Sequence, residues 1–141
     1  MMTKRFLVFG GFSGAVAVAL GAMGAHFLKG KLETGNITIT NFQTFETAVK
    51  YQIYHSITLL VVTLLADRIN TKILQKAGYC FMIGIVLFSG SLYFISTAGL
   101  LGLTNIKWLG PITPIGGIFF ISGWILLGFA GIKKLGNSEI K

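Results

Sequence analysis

The sequence has few charged side chains and very few acidic ones. Only 11% of its 141 residues are charged, and Asp and Glu together number 4 against 12 Lys and Arg. Four stretches carry no charged side chain: Phe6–Leu28, Tyr51–Ala66, Ala77–Ile106 and Trp108–Ile132. A helix needs roughly 20 apolar residues to cross a ~30 Å hydrocarbon layer, so three stretches are long enough and the second is nearly so. The chain is therefore predicted to be an integral membrane protein.

Two further scarcities narrow the class of protein. The one cysteine, Cys80, lies inside an apolar stretch, which excludes an intramolecular disulfide. The basic residues are scattered singly between apolar stretches and form no continuous patch, so we expect no nucleic-acid partner. The apolar stretches also leave too few residues for an additional soluble domain.

These lengths predict an all-α fold, an integral membrane antiparallel four-helix bundle in one domain, 1–141. The spans are predicted at about 5–28, 43–67, 77–98 and 111–132, with a long outer loop at 29–42. In that loop the Ile37–Thr40 alternation is read as a short strand or as irregular chain, and Thr40 or Asn41 as the N-cap of the second helix.

The distribution of basic residues predicts the orientation. With four spans, both termini and the loop between the second and third spans lie on one side of the membrane. This side carries 8 of the 12 Lys and Arg. Because basic residues near span ends are retained in the cytoplasm, both termini are predicted to be cytoplasmic.

Small residues form two stripes along the first span. One stripe follows a 4-3-4-3 spacing and is predicted to be a helix-packing surface; it consists of Gly10, Gly14, Ala17, Gly21 and Gly24. The second stripe, beside it, consists of Gly11, Ala15, Val18, Ala22 and Ala25. Since small residues permit close backbone approach in lipid, we expect the first span to contact two neighbouring helices at once.

Polar side chains of the second span segregate to one helical face. Glu46 and Lys50 fall with apolar residues on the lipid-facing side, where they form an i,i+4 pair. Unpartnered polar groups are costly in hydrocarbon, so the other face is predicted to turn into the bundle. With residues of the neighbouring spans it forms a candidate polar interior or binding site made of His26, Tyr51, Gln52, His55, Ser89 and Tyr93.

No complete catalytic or metal-binding set accompanies these residues. His26 and His55 are placed in the outer half, where they can meet, but no third ligand is evident. A nucleophile arrangement of His55 with Ser89 or Tyr93 lacks an orienting group and an oxyanion hole. We therefore expect no catalytic residue, no metal and no cofactor, and we expect that the protein is not an enzyme.

Four motifs in order resemble one known family. They are Gly21–His26, Phe45–His55, Leu87–Tyr93 and Trp108–Gly117. The chain resembles, over about residues 5–133, the domain of unknown function 423 family, a group of small bacterial inner-membrane proteins similar to eukaryotic transmembrane protein 256. The resemblance implies a four-span helical protein of the bacterial cytoplasmic membrane and implies no activity.

Three functions remain open from the sequence. The first is a non-enzymatic bundle that influences membrane properties or supports a membrane-protein partner or a homo-oligomer, with the lipid bilayer as its surroundings. The second is a lipid or small-molecule binding site in the outer half around His55. The third is an oligomeric channel or carrier.

The predicted orientation is open to a direct test. Green fluorescent protein fused to either terminus is expected to fluoresce and alkaline phosphatase to be inactive, because both termini are predicted to be cytoplasmic. A phosphatase fusion within the 29–42 loop is the matched control and is expected to be active. Termini that report opposite sides would rule out an even number of spans.

Overall fold

The protein is all-helical over the residues that the structure, a computed structural model, describes. These are residues 2–69, 72–103 and 105–138, and no β-strand occurs among them. Four helices are long and apolar enough to cross a membrane: Lys4–Glu33, Ile39–Leu65, Lys72–Thr97 and Lys107–Ile132. The all-α class and four helices of membrane-spanning length and composition are therefore confirmed for the described residues.

The helices are named here α1 to α4. Helix α1 consists of an α-helix, Met2–Met23, a π-helical turn, Gly24–Leu28, and a last α-helical turn, Lys29–Glu33. Helix α2 is Ile39–Leu65. Helix α3 consists of Lys72–Gly84, a π-helical turn, Ile85–Ser89, and Gly90–Thr97. Helix α4 is Ile112–Ser138, preceded by a 3₁₀ turn at Lys107–Leu109.

The prediction of a long loop at 29–42 was wrong. Helix α1 continues to Glu33. The chain then turns at Gly35, whose φ of 73° is the left-handed conformation that glycine adopts without strain. Asn36 N–H donates to Lys31 O and Gly35 N–H to Leu32 O, which is a Schellman ending. The extra turn is stabilised because Leu32 packs with Leu28, Ile37 and Phe45 in one hydrophobic cluster.

The start of α2 also lies earlier than predicted. Thr38, and not Thr40 or Asn41, is the N-cap: its backbone is extended, and its hydroxyl accepts from the Asn41 N–H at 3.1 Å. Ile39 and Thr40 are therefore helical rather than part of a strand. The second span begins at 39 instead of 43 and ends at 65 instead of 67.

Successive helices pack on one another in chain order, α1 on α2, α2 on α3 and α3 on α4. The first small-residue stripe of α1 lies against α2. A Cβ added to Gly10 would lie 3.1 Å from the Ser56 carbonyl oxygen, and one added to Gly24 would lie 3.2 Å from the Phe45 ring. Ala17 is fully buried between these two glycines, and Gly14 and Gly21 approach Ser56 and Val49.

The second stripe is not covered by a neighbouring helix, contrary to expectation. Gly11, Ala15, Val18, Ala22 and Ala25 are all exposed, and nothing lies within 4 Å of a Cβ added to Gly11. The reason is that α1 meets α3 chiefly near its own N-terminus, where Phe6 covers Gly78 and packs edge-on against Tyr79, 5.2 Å between ring centroids.

The bundle is held together by phenylalanine rings that lie on glycines of the neighbouring helix. Phe6 of α1 lies on Gly78 of α3, where an added Cβ would come within 2.6 Å of the ring. Between α3 and α4 the pattern is reciprocal, since Phe81 lies on Gly123 and Phe120 on Gly84, with corresponding distances of 2.7 and 2.5 Å. Each glycine lacks the Cβ atom that would hold the two helices apart.

Gly116 of α4 gives the sharpest test of this packing. An added Cβ would meet the backbone of Phe88, which cannot rotate away, so Gly116→Ala is expected to lower the free energy of unfolding by about 1–3 kcal/mol. Gly128→Ala is the matched control on the same helix, since nothing lies within 4 Å of its added Cβ. Thermal unfolding in detergent measures both, and equal midpoints would contradict the close approach of α3 and α4.

Candidate functional site

Gln52 links three helices from the middle of α2. Its side-chain nitrogen donates to the Ser13 carbonyl of α1 at 2.9 Å, and its side-chain oxygen accepts from the Tyr93 hydroxyl of α3 at 2.7 Å. The amide is 6% exposed, so these bonds replace water that it has lost. The Gln52 group therefore ties α1, α2 and α3 together at one level.

Two serines extend the Gln52 group toward α1. Ser56 Oγ lies 2.9 Å from Ser13 Oγ and 2.7 Å from the Gln52 carbonyl oxygen. A hydroxyl has one proton to donate and two lone pairs to accept, so the two serines and the carbonyl form a short chain of hydrogen bonds. Polar atoms on this side of α2 are thus paired with one another.

His55 contacts a different neighbouring helix from Gln52. Three residues of helix advance the side-chain direction by about 300°, so the two side chains point about 60° apart. Gln52 consequently points between α1 and α3, whereas the His55 ring stacks on Phe120 of α4, 3.5 Å between centroids and 9° between planes. Phe81 of α3 packs against the same imidazole at 5.7 Å.

Both ring nitrogens of His55 have hydrogen-bond partners. Nδ1 lies 2.7 Å from the Tyr51 carbonyl oxygen, which only accepts, and Nε2 lies 3.3 Å from the Trp124 indole nitrogen, which only donates. The geometry therefore requires the neutral tautomer with its proton on Nδ1. In this arrangement neither nitrogen is free to take a proton from a substrate or to bind a metal.

An open aromatic cleft lies beside His55, between α2 and α4. It has a volume of about 550 Å³, within the ~300–1,000 Å³ typical of ligand pockets. Tyr51 stacks on Phe88 at 4.6 Å to form one wall, and Trp124 stands edge-on to Phe81 at 5.4 Å near the other. The cleft is lined by Tyr51, Tyr54, His55, Phe88, Gly117, Phe120, Ile121 and Trp124.

The structure separates several residues that the sequence grouped together. His26 is exposed in the π-helical turn of α1, so it belongs neither to the Gln52 group nor to the cleft. Tyr51 is 39% exposed and forms a wall of the cleft instead of bonding inside the bundle. Ser89 is buried, but among the described residues its hydroxyl has no hydrogen-bond partner. Only Gln52 and Tyr93 of the candidate set bond directly side chain to side chain.

The site lies near the mid-length of α2. Gln52 is the middle residue of Ile39–Leu65, and His55 lies three residues farther on. Among the described residues, no three His, Cys, Asp or Glu side chains group as a metal site.

Sequence reasoning missed several residues that build the site, among them Ser13, Ser56, Phe120 and Trp124. Ser13 is adjacent in sequence to Gly14 of the packing stripe, and Ser56 is adjacent to His55. A search for hydroxyls at the predicted α1–α2 contact would have found both. Phe120 and Trp124 are four residues apart on α4, which places them on one helical face. Their proximity to His55 depends on how α4 is rotated, for which the sequence holds no local signal.

The chain is similar to one family of membrane proteins. The family model described as a protein of unknown function, DUF423, matches residues 20–117. The UPF0382 membrane protein YwdK of Bacillus subtilis (strain 168) is 41% identical over 114 residues, covering 80% of this chain and 84% of its own. A UPF0382 membrane protein of Staphylococcus epidermidis is 42% identical over 113 residues, covering 80% and 83%. No solved structure matches the chain.

The apolar helices and these relatives define a small multi-helix membrane protein. The chain belongs to the DUF423 family, as its motifs indicated. The family's activity is unknown, so function has to be argued from the Gln52 group and the cleft.

The Gln52–Tyr93 bond predicts an energetic coupling between α2 and α3. In a double-mutant cycle, Gln52→Leu and Tyr93→Phe are expected to couple by about 0.6–2 kcal/mol, the range for hydrogen bonds between membrane helices. Gln52→Leu with Thr63→Val is the control pair, because the Thr63 hydroxyl bonds within its own helix to Leu59 O. Unfolding in a mixed detergent measures both, and additive effects in the first cycle would contradict the bond.

Proposed function

We propose that the chain is a non-enzymatic membrane protein that holds a lipid-soluble small molecule in the aromatic cleft. The observation that carries the proposal is an open cleft of about 550 Å³ at the mid-length of the helices, bounded by five aromatic side chains and His55. A tightly packed structural bundle does not need such an opening. The cleft also lies at the part of the helices that a lipid-soluble molecule reaches from the bilayer.

The walls of the cleft favour a flat ring that carries an oxygen atom. Aromatic faces stabilise a ring between them by offset or edge-on stacking, worth about 0.5–1.5 kcal/mol per pair beyond burial. Tyr51 and Tyr54 both line the cleft, and within the described part of the chain neither hydroxyl has a hydrogen-bond partner. Two phenol groups are thus available to a ligand oxygen.

The absence of catalysis is part of the proposal. A general base needs a free nitrogen or oxygen within reach of the proton that it removes. His55 has both nitrogens engaged, by the Tyr51 carbonyl and the Trp124 indole, and both the side-chain nitrogen and the side-chain oxygen of Gln52 are hydrogen-bonded. This pairing supports a binding role rather than an acid–base role.

The arrangement in the membrane is proposed to be antiparallel, with both termini in the cytoplasm of a bacterial cell. The N-terminal part of each helix meets the C-terminal part of its neighbour, as with Gly10 and Leu59, Phe45 and Gly24, and Thr113 and Ser91. The excess of basic residues at the side of the termini supports the orientation. Relatives named as membrane proteins support the membrane location.

A second role, support of a membrane-protein partner or of a second copy, is favoured by one observation. The stripe Gly11, Ala15, Val18, Ala22 and Ala25 stays exposed along α1, and small residues of this kind permit close helix contact in lipid. An oligomeric channel or carrier has weaker support, since the polar side chains at the middle of the bundle are bonded to one another.

The cleft is tested by quenching of Trp124. In a Trp108→Phe background Trp124 is the sole tryptophan, and para-bromophenol bound in the cleft is expected to quench it with saturation. Bromocyclohexane carries the same bromine without a flat ring and is expected to quench only in proportion to its concentration. Equal, non-saturating quenching by both probes would count against the proposed site.

A pair of glycine substitutions locates the bound probe. A Cβ added at Gly117 would meet only the Phe88 ring, at 3.9 Å, so Gly117→Leu places a side chain in the cleft without a clash at its Cβ. This side chain occupies the space of the probe and is expected to weaken bromophenol binding at least about tenfold. Gly128→Leu, on the same helix and in open space, is the control. Tyr54→Phe keeps the ring and is expected to weaken binding by a few-fold through loss of the phenol alone.

A further inference from the structure

An open groove, separate from the cleft, runs along the surface of α1. It has a volume of about 810 Å³ and lies between α1 and α3, with Gln52 of α2 at its floor. Its walls are apolar, with Val8, Phe12 and Val16 on one side and Met82 and Ile85 on the other. No residue that lines the cleft lines this groove.

The groove follows from the way α1 is held. The glycine stripe draws α1 onto α2, and Phe6 brings its N-terminal end onto Gly78 of α3. Beyond Phe6 the two helices diverge, which leaves the side chains from Val8 to Val16 facing Met82 and Ile85 across open space. Phe12 is 73% exposed, so a large apolar surface remains uncovered.

One end of the groove is positively charged. Lys4 and Arg5 line it, both are exposed, and neither forms an ion pair within the described residues. They stand in the first turn of α1, where no acidic residue offsets them or the partial positive charge of the helix N-terminus. Arg68, Lys72 and Lys76 lie where α2 ends and α3 begins, near the same end, with Asp67 as the acidic neighbour.

The length of the groove matches one leaflet. From Lys4 to Val16 the helix rises about 18 Å, and half of a ~30 Å hydrocarbon core is about 15 Å. An occupant with an anionic head at Lys4 and Arg5 would therefore extend its chain to about the middle of the bilayer.

We propose that this groove binds one anionic phospholipid, with its phosphate at Lys4 and Arg5 and an acyl chain along Val8, Phe12 and Val16. Basic pockets between membrane helices recognise anionic headgroups, and each Lys or Arg near the surface contributes a favourable electrostatic interaction. The acyl chain covers the apolar walls that α1 and α3 leave apart. The lipid thereby completes the contact between these two helices.

Native mass spectrometry of the delipidated full chain tests the proposal with phosphatidylglycerol and phosphatidylcholine of identical acyl chains. Phosphatidylglycerol is expected to bind about 10- to 30-fold more tightly, as two basic contacts imply. Lys4→Gln with Arg5→Gln is expected to remove the difference. The control, Lys29→Gln with Lys31→Gln, loses the same charge at the other end of α1 and is expected to retain it.

A second pair of variants tests the groove itself. Val16→Trp places an indole among the apolar walls and is expected to weaken both lipids about tenfold, whereas Val18→Trp, at a 67% exposed position outside the groove lining, is expected to leave both unchanged. If Val16→Trp does not fold, Met82→Trp on the opposite wall takes its place.

Three results would overturn the proposal. Equal binding of the two lipids by the unaltered chain would remove the headgroup preference. Equal losses in the two charge variants would show attraction by net charge alone. A dimer that lipid does not displace and that Val16→Trp dissociates would show that a second copy occupies the groove. None of these outcomes bears on the cleft beside His55.

Discussion

The fold depends on the contact of a phenylalanine ring with a glycine on the neighbouring helix. In a bilayer an apolar side chain gains little by leaving lipid for another apolar side chain, so helices associate only where atoms can approach closely. Phe81 on Gly123 and Phe120 on Gly84 form such contacts in both directions between α3 and α4. Phe6 on Gly78 adds one between α1 and α3, and Phe45 on Gly24 adds one between α1 and α2.

These close contacts also create the two openings. Phe120 lies on Gly84 and stacks with His55, so the ring that closes the α3–α4 contact is also the floor of the aromatic cleft. Phe6 closes the contact of α1 with α3 at one end only, and the groove opens beyond it. We therefore propose that the two binding sites, the aromatic cleft and the groove along α1, lie where the ring-on-glycine contacts end. The polar residues at the middle of the bundle keep the helices in register beside those openings.

Much of the architecture was predictable because it depends on composition over long stretches. Helix number, all-α class and family membership follow from charge-free stretches and from ordered motifs, which neighbouring side chains cannot alter. The loop was mispredicted because Leu32 becomes partly buried by staying helical. It then packs against Ile37 and Phe45, and no local sequence pattern predicts that contact. The candidate site was half predictable: Gln52 and Tyr93 meet, while His26 stands apart and Trp124 was overlooked.

The sequence by itself determined that this chain forms four apolar helices with polar groups on one face of the second, since hydropathy and helical period are properties of the chain alone. Only the tertiary structure decided that Gln52 and His55 have different neighbours. Gln52 is hydrogen-bonded to α1 and α3, and His55 is stacked against α4. The physical reason is that helix rotation and close approach are set by which glycine receives which ring. The pairing of each ring with its glycine depends on residues that are far apart in the chain.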